Sequence, residues 1–277
     1  MTIPAQLSSP LDTSHYPSYL SLMYQVVQSI SGKPSIDPRW PDCQELAAKL
    51  FFHASTIHWL RQGTRAPLPG TNAQASFFDL TSVSVLARAC LDTFLTLFHV
   101  FFSPASEDEF EFRYVLWKLA GEVVREGPAP SDASLQESHD LAQQDIADLR
   151  ARIKATALYK SLTAKQQRAV LAGARSVNWS RTAEEAGFGK QMIRQIRAFY
   201  SGHVHADGLS ASQVLGAETR DAQIEHIEID MTTVMIVLAK FICLYADKFP
   251  EARAVCLSNA DNYERCIMLA GAASSVP

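Results

Sequence analysis

The stretch Tyr19-Leu20-Ser21-Leu22-Met23-Tyr24-Gln25-Val26-Val27-Gln28-Ser29-Ile30 places apolar side chains at Tyr19, Leu22, Met23, Val26, Val27 and Ile30. Steps of three and four put these six on one face of a 3.6-residue helix, and the polar residues between them fall on the other. The same spacing returns along most of the chain. No alternation of period two persists anywhere, so the sequence predicts an all-α protein, a helical bundle.

Working outward, Gly32, Pro34 and Pro38 break the first helix. A second helix is expected from Pro41 to Arg61, ending in a Pro/Gly loop from Gly63 to Gly70. A third, very apolar helix covers Phe77 to Phe102. Ser103-Pro104 reads as an N-cap with proline at the first helical position, and the helix it starts should run to about Glu126. Gly127 and Pro128 stop it, and Pro128 to Asp132 is the best hinge. The expected division is therefore an N-terminal part, 1–127, and a C-terminal part, 128–277, or one continuous domain. A polar helix from Ala133 to Leu158 carries a narrower stripe of Leu135, Ile146, Leu149 and Ile153. Thr163 with Gln166 has the form of a capping box, and so has Thr182 with Glu185. Further helices are expected at Lys190 to Gly202, Asp221 to Lys248 and Ala260 to Leu269, with Pro250 marking a restart.

Composition narrows the class. The 277 residues are 47% hydrophobic and 19% charged, enough for a sizeable core. Leu80 to Phe102 is apolar enough to suggest a membrane span but carries Arg88 and Asp92. Met231 to Ala246 is short for one and contains Lys240. Both read as core helices. The first eighteen residues lack the pattern of a secretory signal. The five cysteines are odd in number and form no CxxC pair, so neither disulfides nor a zinc knuckle are expected and a reducing cytoplasm is the expected setting. Hydrolase triads, nucleophile elbows and phosphate-binding glycine loops are missing, which argues against an NTPase or a dinucleotide enzyme. No cofactor is implied.

The net charge of −4 hides an asymmetry. Residues 150–200 hold eleven Lys or Arg against Glu184 and Glu185, a local net of +9, while the remainder carries −13. Such a segment suits phosphates, and it equally suits charges spread over solvated helix faces. Its densest end runs Arg194-Gln-Ile-Arg197-Ala-Phe-Tyr200-Ser201-Gly-His203-Val-His205-Ala-Asp207. A guanidinium can hold a phosphate and an imidazole can move the proton of an attacking hydroxyl. Arg197 and His203, six apart, would converge only if the helix ended near Gly202.

Arg197 and His203, separated by five residues, resemble the Arg-x(4–6)-His motif of the HEPN superfamily, although the position after the arginine is Ala198 where those nucleases usually carry a polar residue. Arg88 with Asp92, followed by Ser201-x-x-Val204-His205, also resembles a group of poorly characterised bacterial all-α proteins, over roughly Phe77 to Leu209. The HEPN resemblance implies a metal-independent endoribonuclease or RNA-binding protein of a toxin or antiviral defence type, HEPN-like in its C-terminal half. In that reading Arg197 stabilises the phosphate and His203 or His205 acts as acid or base. Tyr200, Ser201 and Asp207 orient the imidazole, while Lys190, Arg194 and Arg181 bind the nucleic acid. It also implies a homodimer, and a scaffold or sensor role would need a partner protein.

Two other readings of the residues stay open. Thr182 to Arg197 has the look of a helix-turn-helix, with Ala183, Gly187, Ile193 and Ile196 where that motif wants a small residue, a turn glycine and two core aliphatics. Lys190, Arg194 and Arg197 would then face DNA. Alternatively Tyr200, Ser201 and one histidine simply satisfy one another where a helix ends in the bundle. A metal site at His203-x-His205-x-Asp207 is not expected. Arg88 and Asp92, four apart on one helix face, read either as a buried structural bridge, the favoured reading, or as the wall of a site.

Overall fold

A computed structural model of the chain describes residues 12–33, 37–126, 132–174, 177–205, 208, 212, 216–217 and 219–274. Along the chain these form α1 (Tyr16–Gln28), α2 (Trp40–Leu60), β1 (Thr64–Pro67), β2 (Gln74–Phe77), α3 (Leu80–Leu97), α4 (Glu107–Arg125) and α5 (Gln136–Ala155). Then follow α6 (Ala157–Ser161), α7 (Ala164–Leu171), α8 (Trp179–Glu185), α9 (Lys190–His205), α10 (Arg220–Lys248), α11 (Pro250–Ser258) and α12 (Ala260–Ala272). The protein is mostly helical, as its periodicity predicts.

Two compact units emerge. One joins Met1–Leu95 to Ser180–Pro277; the other is Thr96–Trp179. These boundaries differ from a division at 127/128, and most of the expected hinge, its residues 128–131, lies outside the described residues.

The first unit is built around α10. From Thr233 to Ile242 every residue of this helix is buried, so it lacks the single apolar stripe of a surface helix and runs through the core. It packs against α1, α11, α12 and α2. The α1 stripe does what its spacing requires: Tyr19, Leu22, Met23, Val26, Val27 and Ile30 are all buried. α2 contributes Cys43, Ala47, Leu50, Ala54 and Ile57, alternating steps of four and three along one face. A truncation such as Met23→Ala in such a core costs about 2–5 kcal/mol. Helix starts follow local chemistry, with prolines in the first turns of α1, α2 and α11, where a missing N–H costs nothing.

Several sequence expectations change. The loop expected from Gly63 to Gly70 is instead the start of an antiparallel hairpin, with Thr64 opposite Phe77 and Pro67 opposite Gln74. Its strands bury little, so no hydrophobic alternation could announce them. The helix expected at Ser103-Pro104 starts three residues later. Ser106 accepts from the N–H of Glu109, and the Glu109 carboxylate accepts from that of Ala105. Ser103 closes the preceding element instead: its N–H reaches back to Phe98 O at 2.9 Å, ending a π-type turn over Phe98–Phe102. The polar helix breaks at Thr156, which leaves the helical conformation and caps α6. The box at Thr163 and Gln166 forms as expected. The one at Thr182 does not, because Thr182 is buried inside α8.

In the second unit α4 and α5 pack side by side and α6 leans on both. Phe101, Phe110, Tyr114 and Trp117 form an aromatic cluster with ring centres about 6 Å apart. Residues 80–102 are the one helical stretch, among those described, long and apolar enough to cross a bilayer. Val83, Ala87, Cys90, Leu91, Phe94 and Leu95 within it are buried in protein.

Candidate functional site

The electropositive segment is divided between the two units. Arg150, Arg152, Lys154, Lys160, Lys165 and Arg168 belong to the second unit, and Arg181, Lys190, Arg194 and Arg197 to the first. Several of these cations are already matched. Arg150 donates to Leu171 O and faces Glu126, Arg152 pairs with Glu111 at 2.8 Å, and Arg181 pairs with Glu185 at 2.8 Å. Arg181, expected to bind nucleic acid, is therefore an exposed member of an i,i+4 pair.

The first unit holds a cleft of about 340 Å³, lined wholly by its own residues. α9 supplies Arg194, Arg197, Ala198, Tyr200 and Ser201; α3 supplies Arg88, Leu91 and Asp92; Ser180 opens α8. The spacing of both long helices explains the convergence. Residues 194, 197 and 201 lie along one stripe of α9, and 88 and 92 along one stripe of α3. Lys190 extends the α9 stripe by one turn and is exposed, as is Arg194. Among the described residues, Lys190, Arg194 and Arg197 make no ion pair.

Arg88 and Asp92 form the i,i+4 pair expected from sequence, with Nε to Oδ2 at 3.3 Å. The pair is not a buried bridge: Arg88 is 30% and Asp92 52% exposed, and both face the cleft. The α3 helix is apolar on its other sides, which made burial of the pair the simpler reading. One guanidinium nitrogen of Arg88, Nη1, is sealed from solvent and has no hydrogen-bond partner.

Tyr200 and a buried acid stand behind the cleft. The phenol is shut away from solvent and stands next to Asp230 and Thr233 of α10. Asp230 is buried and accepts from Ser84 Oγ at 2.7 Å, while its Oδ1 is without a hydrogen bond. Burial raises its pKa to about 7, against the partial relief given by Ser84 and Tyr200. Burial likewise pushes Tyr200 well above its usual value, and Asp230 adds to the rise. Ser84, Tyr200 and Asp230 thus tie together α3, α9 and α10 behind the arginines.

The histidines fare differently. α9 continues through Gly202 to His205, so the helix end that would have brought Arg197 and His203 together is absent. On a continuous helix six residues turn these two side chains about 120° apart. His203 is only 5% exposed and lies against Phe199, with ring centres 4.8 Å apart and planes tilted by 58°; it does not line the cleft. His205 occupies the last turn of α9, its side chain outside the described residues, as is Asp207. No group of three His, Cys, Asp or Glu among the described residues is placed to hold a metal ion.

At the α8–α9 corner a tight turn joins two helices, and of the residues expected to form a helix-turn-helix core Ile196 is only half-buried. Gly187 turns the corner with φ +79°, where a side chain would be strained, and an added Cβ would lie 2.9 Å from Lys240 Nζ. Ala183 and Ile193 are buried as that motif requires. Lys240 holds the corner from α10, donating to Gly187 O at 2.6 Å and Ala270 O at 3.0 Å, over the ring of Phe188. Burial lowers its pKa to about 8.

The sequence reading missed Ser84, Asp230 and Lys240 as polar groups with structural work inside apolar helices. The signal was present: Ser84, Arg88 and Asp92 repeat every fourth residue, and Asp230 and Lys240 are the charges set into the apolar run of α10. Comparisons with protein-family models, curated proteins and solved structures find no match.

Proposed function

We propose that this protein binds nucleic acid, RNA in the first instance, by gripping phosphate in the cleft between α3 and α9. The observation that carries this reading is the convergence of Arg88, Arg194 and Arg197 on one cleft, with two of the three guanidiniums unpaired and the third shared with Asp92. Three planar donor forks around one concavity favour an oxyanion with several acceptor oxygens. Lys190, one turn along α9, extends the positive stripe outward for a neighbouring phosphate.

Cleavage of that RNA would require an imidazole beside the phosphate. Burial under Phe199 argues against His203 in that role, and so His205 is the histidine to test for a metal-independent ribonuclease. Full-length protein is incubated with single-stranded RNA in EDTA, and binding is followed by fluorescence anisotropy across a salt series. Binding should weaken with salt. Arg194→Ala with Arg197→Ala should weaken it further and flatten the slope of log K against log salt by about 0.7, the share of one phosphate contact on a single strand. Salt-insensitive binding, or an unchanged slope in the double variant, overturns the reading. Loss of RNA in EDTA that stops with His205→Ala would add catalysis to binding.

The α8–α9 corner supports a second reading, in which the same α9 face meets duplex DNA. A duplex of the same sequence in the same titration separates the two. Preference for the duplex selects the DNA reading.

A further inference from the structure

Resting on that reading of the cleft as a phosphate site, we infer that it takes a terminal phosphate monoester, on the end of an RNA chain or on a mononucleotide, in preference to the internal phosphodiesters of a strand.

Charge is the first argument. Three guanidiniums and the Asp92 carboxylate leave the cleft with a net of +2. A phosphate monoester carries about −1.5 to −2 at neutral pH, whereas each internal link of a strand carries a single negative charge. Asp92 sharpens the match, because it cancels one cation and anchors Arg88 through Nε at 3.3 Å.

Oxygen count is the second. A monoester presents three terminal oxygens, and a diester presents two. Arg194 and Arg197, a helical turn apart on α9, approach from one wall, and Arg88 from the other. Arg88, on the wall opposite α9, is placed for a third phosphate oxygen, which a diester could not supply while both of its own oxygens serve α9.

Shape is the third. Leu91 and Tyr200 close the inner side, both with less than 3% of their surface exposed. A cleft of about 340 Å³ with a sealed floor is near the lower end of small-ligand sites.

The test uses the full chain and one short RNA labelled internally, carrying a phosphate at its 5′ end, at its 3′ end, or at neither. Adenosine monophosphate and adenosine serve as competitors. One phosphorylated form should bind at least about ten-fold more tightly than the unphosphorylated strand, the loss expected for a charge-assisted contact. Adenosine monophosphate, but not adenosine, should displace it. The preference should shrink in Arg88→Ala and in Arg194→Ala, with circular dichroism confirming that each variant keeps its helices. Equal binding of all three strands overturns the inference while leaving RNA binding intact. Binding of adenosine monophosphate without binding of any strand supports the monoester site and overturns the RNA reading. No binding of any probe overturns both.

Discussion

Two sets of arginines play opposite parts, those packed around α4 in the second unit and those lining the cleft in the first. In the second unit Arg113 is spent on its own fold. Its guanidinium donates to His99 O at 2.9 Å and Ser103 Oγ at 2.8 Å, and pairs with Glu109, fastening the π-type turn to α4. Arg150 and Arg152 likewise meet carboxylates of α4 or of the residue that follows it. In the first unit Arg194 and Arg197 have no such partner, and Arg88 is half-spent. The lesson is that a basic stretch of sequence says how many cations there are, while only packing says which of them are left over. An unspent guanidinium held beside two others is where a ligand's charge is worth most.

The largest expected effect breaks this contrast from the ligand side. Arg194→Ala with Arg197→Ala should cost RNA affinity about 3–6 kcal/mol, a hundred-fold or more, at about 1.5–3 kcal/mol for each charge-assisted contact. The melting temperature should stay where it was, because neither side chain holds the fold together. A large drop in melting temperature with little change in affinity would reverse the assignment.

Next comes the contrast in buried polar groups. The second unit hides Thr156, which bonds its own helix end. The first hides Asp230 against α3 and α9. Because the folded protein holds this carboxyl at about 7, above its unfolded value of 3.8, the native state binds the proton more tightly. This group's stabilising contribution is therefore fullest below pH 4 and is lost as pH rises towards 7, with no further change above. The span corresponds to at most about 4 kcal/mol. Asp230→Asn should remove that slope from chemical-denaturation midpoints measured between pH 4 and 8, and should be relatively most stabilising at the upper end. An unchanged slope would mean that the acid is not buried and neutral.

Arg113→Ala should then lower stability by about 2–3 kcal/mol, by stranding a carbonyl and a carboxylate that are largely buried, and leave RNA affinity unchanged. Urea midpoints and anisotropy on the same preparation check both halves.

How far the sequence foretold these roles depends on which interactions decide them. The α1 stripe and the Thr163 box are local, set within a few residues, and were legible. The hairpin at Thr64–Phe77 was not, since its pairing rests on backbone bonds with little burial to pattern the side chains. Arg194 and Arg197 could be named from their cluster. Arg88 as their partner could not, because it lies more than a hundred residues away and only the packing of α3 against α9 unites them. His203 misled for the opposite reason. Its neighbours in sequence are catalytic in type, yet its position on the helix turns it under Phe199.

The smallest effects test whether matched surface arginines are as inert as the contrast requires. Arg152 and Arg181 were both within the electropositive segment, and each faces a carboxylate at 2.8 Å. Their side chains are 48% and 77% exposed, so water and salt screen the pairs and each should contribute no more than about 1 kcal/mol. Arg152→Ala and Arg181→Ala should each shift the urea midpoint slightly and leave RNA affinity within about two-fold, since neither lines the cleft. The two differ in one respect. Arg181 belongs to α8, whose first turn supplies Ser180 to the cleft, and its own turn leads into Gly187. If Arg181→Ala alone lowered affinity, the binding surface would extend along α8, and the helix-turn-helix reading would gain at the expense of a single closed phosphate site.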